Sequence, residues 1–326
     1  CLAKNYDAVI ALVKEIILEP RWDATEFDLL KQSTLSRLQR QQANPNSIAA
    51  NQFAKIMYGE DHILSNNNMG TSASVKAITI DDLKAYYDAN ISPSVTKFHI
   101  VGDITSAKVK SSLASLNDTW KVKDVNIPQV MAAQKPKASK VYFYDVPNAK
   151  QSVLRFGTPS LSATDTDYYA AQVMNYRLGG GSFASQLTQQ LREGKGYTYG
   201  VGSRFSGGAT NGTFVISSGV RSNVTYEASS LVKGILENYS AEYNENDLDV
   251  SKGYMIKSNA RAFETMGSKL GMLNNISNYN YPDNYAKLRE QSVKDMTVED
   301  IKALANKYLN PDKMIYLVVG DAKTQL

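Results

Sequence analysis

Residues 78–103 read Ile-Thr-Ile-Asp-Asp-Leu-Lys-Ala-Tyr-Tyr-Asp-Ala-Asn-Ile-Ser-Pro-Ser-Val-Thr-Lys-Phe-His-Ile-Val-Gly-Asp. Residues 296–321 read Met-Thr-Val-Glu-Asp-Ile-Lys-Ala-Leu-Ala-Asn-Lys-Tyr-Leu-Asn-Pro-Asp-Lys-Met-Ile-Tyr-Leu-Val-Val-Gly-Asp. The two stretches align without a gap at an offset of 218 residues, and the match begins at Val75 and Val293. Repeat arrays have periods of 20–50 residues, so an offset this long marks a domain-sized duplication. In each copy a threonine, Thr79 or Thr297, precedes acidic first-turn residues and caps a helix, and a proline closes that helix. A strand ending Val-Gly-Asp is expected in both, over 95–101 and 314–319. Leu12-Val13-Lys14 likewise corresponds to Leu231-Val232-Lys233.

The second copy has a front half that the first lacks. Its residue pattern predicts strands at 141–146 and 151–157, helices near 165–178 and 183–193, and strands near 198–206 and 212–220. Phe183, Leu187 and Leu191 recur every four residues on one helical face, whereas residues 213–218 are short and β-branched. Counting back by the offset places the first copy's missing strands before residue 1. The expected organisation is α+β: an incomplete first repeat at 1–120, an exposed linker at 121–139 containing Pro128 and Pro136, and a complete second repeat at 140–326.

Composition narrows the function. Lys and Arg number 36 against 32 Asp and Glu, and a formal charge of +4 spread over this surface is no nucleic-acid footprint. The apolar run Ala8–Leu18 is broken by charge and falls short of the roughly 20 residues that cross a bilayer. The first residues show no targeting signal, and the chain reads as beginning inside a domain. The compartment stays open between cytoplasm and bacterial periplasm. Cys1 is the single cysteine, and neither of the two histidines, His62 and His99, has another at helical spacing. A catalytic zinc takes three protein ligands, so no metal and no cofactor is expected in this chain. Gly-x-Ser-x-Gly is absent as well.

Residues 178–200 are the most distinctive window, with Gly179-Gly180-Gly181-Ser182-Phe183 before a helix and Gly194 and Gly196 after it. Three free amides ahead of a helix are able to cradle a phosphate, but neither phosphate-loop spacing is present, and a break that lets two elements pack closely is the plainer reading. Arg192 and Tyr199 flank the second glycine-rich turn. Together they offer a fixed fork of donors and a hydroxyl, suited to holding a carbonyl oxygen or a developing oxyanion. By spacing alone the plainer reading prevails, an arginine satisfying the last carbonyls of its helix and an ordinary strand tyrosine.

Three segments taken together, Asp145–Ser152, Tyr176–Gly181 and Leu191–Gly200, resemble the insulinase (pitrilysin) family of zinc peptidases, which includes the mitochondrial processing peptidase. The resemblance spans essentially the whole chain and implies tandem duplicated α/β sandwich domains, the first truncated here. Family members carry an inverted zinc motif, His-x-x-Glu-His, on one domain with a distant glutamate as third ligand, while another domain supplies an arginine and a tyrosine that grip substrate. In this chain Arg37 stands near the position of the ligand glutamate, and a guanidinium has no acceptor for zinc. Arg192 and Tyr199 match the gripping pair in type and spacing, with Gly179, Gly180, Gly181 and Phe183 as the adjoining substrate loop. The resemblance therefore implies the substrate-gripping half of a zinc metalloendopeptidase. Its zinc would lie in a partner half, fused upstream or a separate subunit, and its substrate would be peptide. This chain alone is expected to be inactive. The alternative is a non-catalytic scaffold of the same fold, like the core subunits of respiratory complexes.

Overall fold

Seven helices open the chain in the computed structural model, which describes residues 1–324. They are α1 (Tyr6–Leu18), α2 (Ala24–Gln42), α3 (Pro45–Tyr58), α4 (Ser72–Ala77), α5 (Ile80–Asn90), α6 (Ser106–Leu113) and α7 (Leu116–Thr119). Strands β1 (Lys140–Asp145) and β2 (Gln151–Ser160) follow, then α8 (Tyr168–Asn175), β3 (Thr198–Gly207) and β4 (Gly212–Arg221). The chain continues through α9 (Thr225–Glu242), α10 (Glu245–Asn259), α11 (Met266–Tyr279), α12 (Tyr285–Asp295) and α13 (Val298–Tyr308) to β5 (Ile315–Gly320). The fold is α+β, as the residue pattern predicts. Gln325 and Leu326, the end of the expected second repeat, lie outside the described residues.

Two units separate by their internal contacts, one formed by Cys1–Gln39, Met69–Gln129 and Phe263–Asn274, the other by Arg40–Asn68, Val130–Ala262 and Asn275 onward. Within the first, Thr79 Oγ1 accepts from the Asp82 amide at 3.2 Å while the Asp82 carboxylate accepts from the Thr79 amide at 2.8 Å. The second unit repeats this reciprocal cap at Thr297 and Asp300, at 3.2 and 2.9 Å. Two orphan amides are satisfied at each helix start. Both helices run for 11 residues and are followed by a 3₁₀ turn that begins with proline, Pro93–Val95 or Pro311–Lys313.

The two segments then diverge. Residues 314–319 give β5, but residues 96–101 form no strand. A strand exists only when paired, and every regular element described in the first unit is helical, so the expected strand at 95–101 has no ladder to join. Helix α1 buries none of its side chains, and Leu12 and Ile16 stay exposed, as do Leu29 and Leu30 on α2.

All five strands belong to the second unit and form one sheet in the order β1-β5-β2-β4-β3. β1 pairs with β5 in parallel, and the other neighbours are antiparallel. All six β5 residues are buried, which is why Ile315–Val319 is an unbroken apolar run and not an alternating one. On the inner face Leu154, Phe156, Phe205, Phe214 and Ile216 pack with residues of α8, α9 and α13, such as Met174, Val232 and Ile301. Burying a side chain of this kind stabilises the fold by roughly 1.5–3 kcal/mol before ordering entropy is subtracted. On the outer face Val153, Ile315, Leu317 and Val319 pack against Ala49, Phe53 and Met57 of α3. Residues 121–139 form neither helix nor strand. Ala133 donates its amide to the Asn211 side chain at 2.7 Å.

Candidate functional site

The glycine window folds less regularly than a pair of helices. α8 ends in a π-helical turn, Tyr176–Gly180, a single 3₁₀ turn covers Ser182–Ala184, and Thr188–Gly194 winds as a second π-helical segment. π-turns are rare and collect at functional sites. Ser185 is extended between the last two, so Phe183 does not share the buried face of Leu187 and Leu191 that the four-residue spacing predicts. It is 60% exposed, whereas Leu178, Leu187 and Leu191 are fully buried and anchor the window to the core.

Gly179 shows why this loop is glycine-rich. A Cβ there would lie 2.3 Å from Ser203 Oγ and 2.6 Å from the Ser203 amide nitrogen on β3. The run brings the π-turn directly onto β3, a close approach that a side chain would block. Gly179→Ala is expected to destabilise the chain by roughly 1–3 kcal/mol through overpacking. Urea denaturation measures this, and an unchanged midpoint would show that the turn moves aside freely.

Between Arg192 and Tyr199 the chain reverses at Gly196, whose φ is +60°. The turn is closed by the Gly196 amide donating to the Arg192 carbonyl at 3.0 Å and the Tyr197 amide to the Leu191 carbonyl at 2.9 Å. Arg192 is half-exposed, with its guanidinium 4.7 Å from the centre of the Phe183 ring and its Nε 3.3 Å from Glu193. Tyr199, on a β3 stretch where the pairing register shifts, is 88% exposed. Two donor-bearing side chains thus stand at either end of a turn whose backbone is pinned to buried leucines, Tyr199 open to solvent and Arg192 half-exposed beside Phe183 and Glu193.

Sequence reasoning missed Arg177. Its Nε donates to Asp247 Oδ1 at 2.7 Å, its Nη2 lies 2.7 Å from the same oxygen, and its Nη1 donates to the Ala184 carbonyl. The Arg177 and Asp247 side chains are only 11% and 6% exposed. This buried pair ties the glycine window to α10. The arginine stood in the quoted motif, but its partner lies 70 residues away.

No zinc ligand set fits these residues. His62 donates from Nε2 to the Met131 carbonyl at 2.9 Å, accepts at Nδ1 from the Leu64 amide at 3.1 Å, and stacks on Tyr58. Arg37 is exposed on α2 and His99 half-buried in the first unit. Among the described residues no three His, Cys, Asp or Glu side chains are grouped to hold a metal ion, and no helix is long and apolar enough to cross a membrane.

The class follows from an α+β fold whose glycine-rich turn presents Arg192 and Tyr199 and which has, among the described residues, no group able to hold a metal ion. Residues 77–254 match the peptidase M16 inactive domain, and the chain belongs to that family. The insulinase-type resemblance read from residues 145–152, 176–181 and 191–200 is borne out. Among relatives, a "non-peptidase homolog" of Helicobacter pylori is 23% identical over 98% of this chain and 74% of its own length. An uncharacterised zinc protease of Streptomyces coelicolor is 25% identical over 70% of this chain and half of its own. The crystal structure of a peptidase M16 inactive domain from Pseudomonas fluorescens superposes with a TM-score of 0.89 at 26% identity, covering 98% of this chain and 76% of that one. A chain of complex III from Candida albicans shares the fold alone, with a TM-score of 0.75 at 12% identity over 98% of this chain and 77% of that one.

Proposed function

We propose that this chain is the substrate-gripping half of a two-part zinc metalloendopeptidase. Arg192 and Tyr199 hold the scissile carbonyl of a peptide, and Gly179, Gly180, Gly181 and Phe183 form the loop beside it. The observation that carries this reading is the turn itself: both donors reach solvent while their backbone is fixed by hydrogen bonds and buried leucines. A donor held in place before charge develops needs little reorganisation when it does. The hydrolytic zinc belongs to a partner half with His-x-x-Glu-His, in the same polypeptide or in a second subunit.

The first unit is, on this reading, a truncated repeat of the second. The matched caps, equal helix lengths and proline turns support it. So do the exposed leucines and isoleucines of α1 and α2, which in a full repeat would face a sheet of their own.

The test is metal analysis with a peptidase assay. The purified chain should carry no stoichiometric zinc and cleave no quenched-fluorescent peptide, and cleavage should appear on adding the zinc-bearing half. Stoichiometric zinc that disappears in His62→Ala or His99→Ala would overturn the assignment. A second reading, a non-catalytic scaffold of the same fold, draws on the Helicobacter non-peptidase homolog and on the complex III chain. It differs from the first in requiring nothing of Arg192 and Tyr199.

A further inference from the structure

The outer face of the sheet is covered unevenly. α3 lies over β5 and β2, but past Arg155 the strands β4 and β3 border a cleft of about 930 Å³ whose lining includes Arg155, Thr213, Ser217, Arg204 and Ser206. The register sets these on one face. Arg155 is opposite Ser217, Ser217 opposite Gly202, and Arg204 opposite Val215, while Leu154, Phe156 and Phe205 between them point into the core.

Arg155 is in an unusual position for a cation. Its Nε is buried and finds no acceptor, its guanidinium lies 5.7 Å from the centre of the Phe53 ring, and burial pulls its pKa below the ordinary arginine value. Arginine nonetheless keeps its proton in proteins, so a desolvated charge persists. Among the described residues neither Arg155 nor Arg204 has a carboxylate within ion-pair distance, and no Asp or Glu lines the cleft. Phe53 lies beside the guanidinium and Nε is buried, but Arg155 is only partly buried and lines the cleft, so its terminal amino groups are the donors open to a carboxylate there.

We propose that this cleft binds the carboxylates of an extended acidic peptide lying along β3, with Arg155 taking one carboxylate through its fork and Arg204 a second. Two separated guanidinium groups on a face with serine and threonine hydroxyls suit a chain with spaced charges better than one small ion. In an extended peptide alternate side chains share a face, so acidic residues at every second position present their charges together. The cleft also reaches Gly179 and Gly180 of the proposed substrate loop, so the site deepens that reading by giving a peptide chemistry that this chain binds on its own, without turnover.

Fluorescence anisotropy on the whole chain tests it, with a fluorescein-labelled peptide of alternating Glu and Gly and its Gln counterpart. The Glu peptide should bind at least about tenfold more tightly than the Gln peptide. Arg155→Lys, which keeps the charge and loses the fork, and Arg204→Gln should each weaken Glu-peptide binding about tenfold, and Arg261→Gln outside the cleft should not. Arg204 is exposed, so its replacement stays informative even if Arg155 variants fold poorly. Equal affinity for the two peptides, or wild-type affinity in Arg204→Gln, would overturn the proposal. Inorganic phosphate displacing the peptide as effectively as an unlabelled Glu peptide would replace it with a small-anion site.

Discussion

On the proposed function, Tyr199→Phe is expected to lower peptide turnover by roughly 100-fold to 1,000-fold when the chain is assembled with a zinc-bearing half, the cost of removing one oxyanion donor. The substitution deletes a single oxygen from a side chain that is 88% exposed, so no buried partner is left unsatisfied and the folded chain should be as stable as before. Substrate affinity should change much less than turnover, because the hydroxyl interacts most strongly as the carbonyl oxygen gains charge. Arg192→Ala should add a loss of affinity, since it also removes the guanidinium that lies over Phe183. The two kinetic constants are measured on the reconstituted enzyme. A scaffold has no use for either donor, and full turnover in both variants would reject the gripping role.

The largest effect on stability is expected at Arg177. Arg177→Ala should destabilise the chain by roughly 3–5 kcal/mol, because it leaves the Asp247 carboxylate buried without its cation. The neighbouring contact does not replace it: Asp247 retains only the Asn244 amide, which donates to Oδ2 at 3.3 Å. Removing both partners together, as Arg177→Met with Asp247→Leu, should cost far less than Arg177→Ala plus the single aspartate change, as expected for a coupled pair. Chemical denaturation of the three variants gives the coupling. Additive losses would mean that the pair is solvated and incidental. Because Arg177 also donates to the Ala184 carbonyl, the single variant should loosen the glycine window beside Arg192 as well.

What the sequence made legible was local. Thr79 with Asp82 and Thr297 with Asp300 announce helix starts because a cap is complete within four residues. The β-branched run at 213–218 and the apolar run at 315–319 likewise predict β4 and β5 within their own length. The misreadings share one cause, which is that partners are decided elsewhere in the chain. Residues 96–101 align with 314–319 and share the Phe98/Tyr316, Ile100/Val318 and Val101/Val319 positions, but Lys97 and His99 stand where Ile315 and Leu317 do, and only the latter segment meets neighbouring strands on both sides. Phe183 keeps helical spacing from Leu187 and Leu191 but is cut off by the extended Ser185. The periodicity of α3 reveals an apolar face and says nothing of its target, so its packing on β2 and β5 was not readable. Arg177 and Asp247, and likewise Arg155 and Phe53, meet only after the chain has folded.

Among the described residues the strand latest in sequence, β5, lies inside the sheet between β1 and β2. There β1 pairs with β5 alone, so the residues made around position 140 must wait some 175 further residues for their neighbour. During translation the β3–β4 hairpin and β2, which pairs antiparallel with β4, are able to form early, with β1 unpaired. Insertion of the final strand then closes two ladders and completes the layer beneath α3 in one event. Such long-range closure is slow and leaves an apolar edge open meanwhile. β5 therefore acts as the sheet's folding latch: a ribosome that stalls before Ile315 leaves a chain whose sheet is still divided.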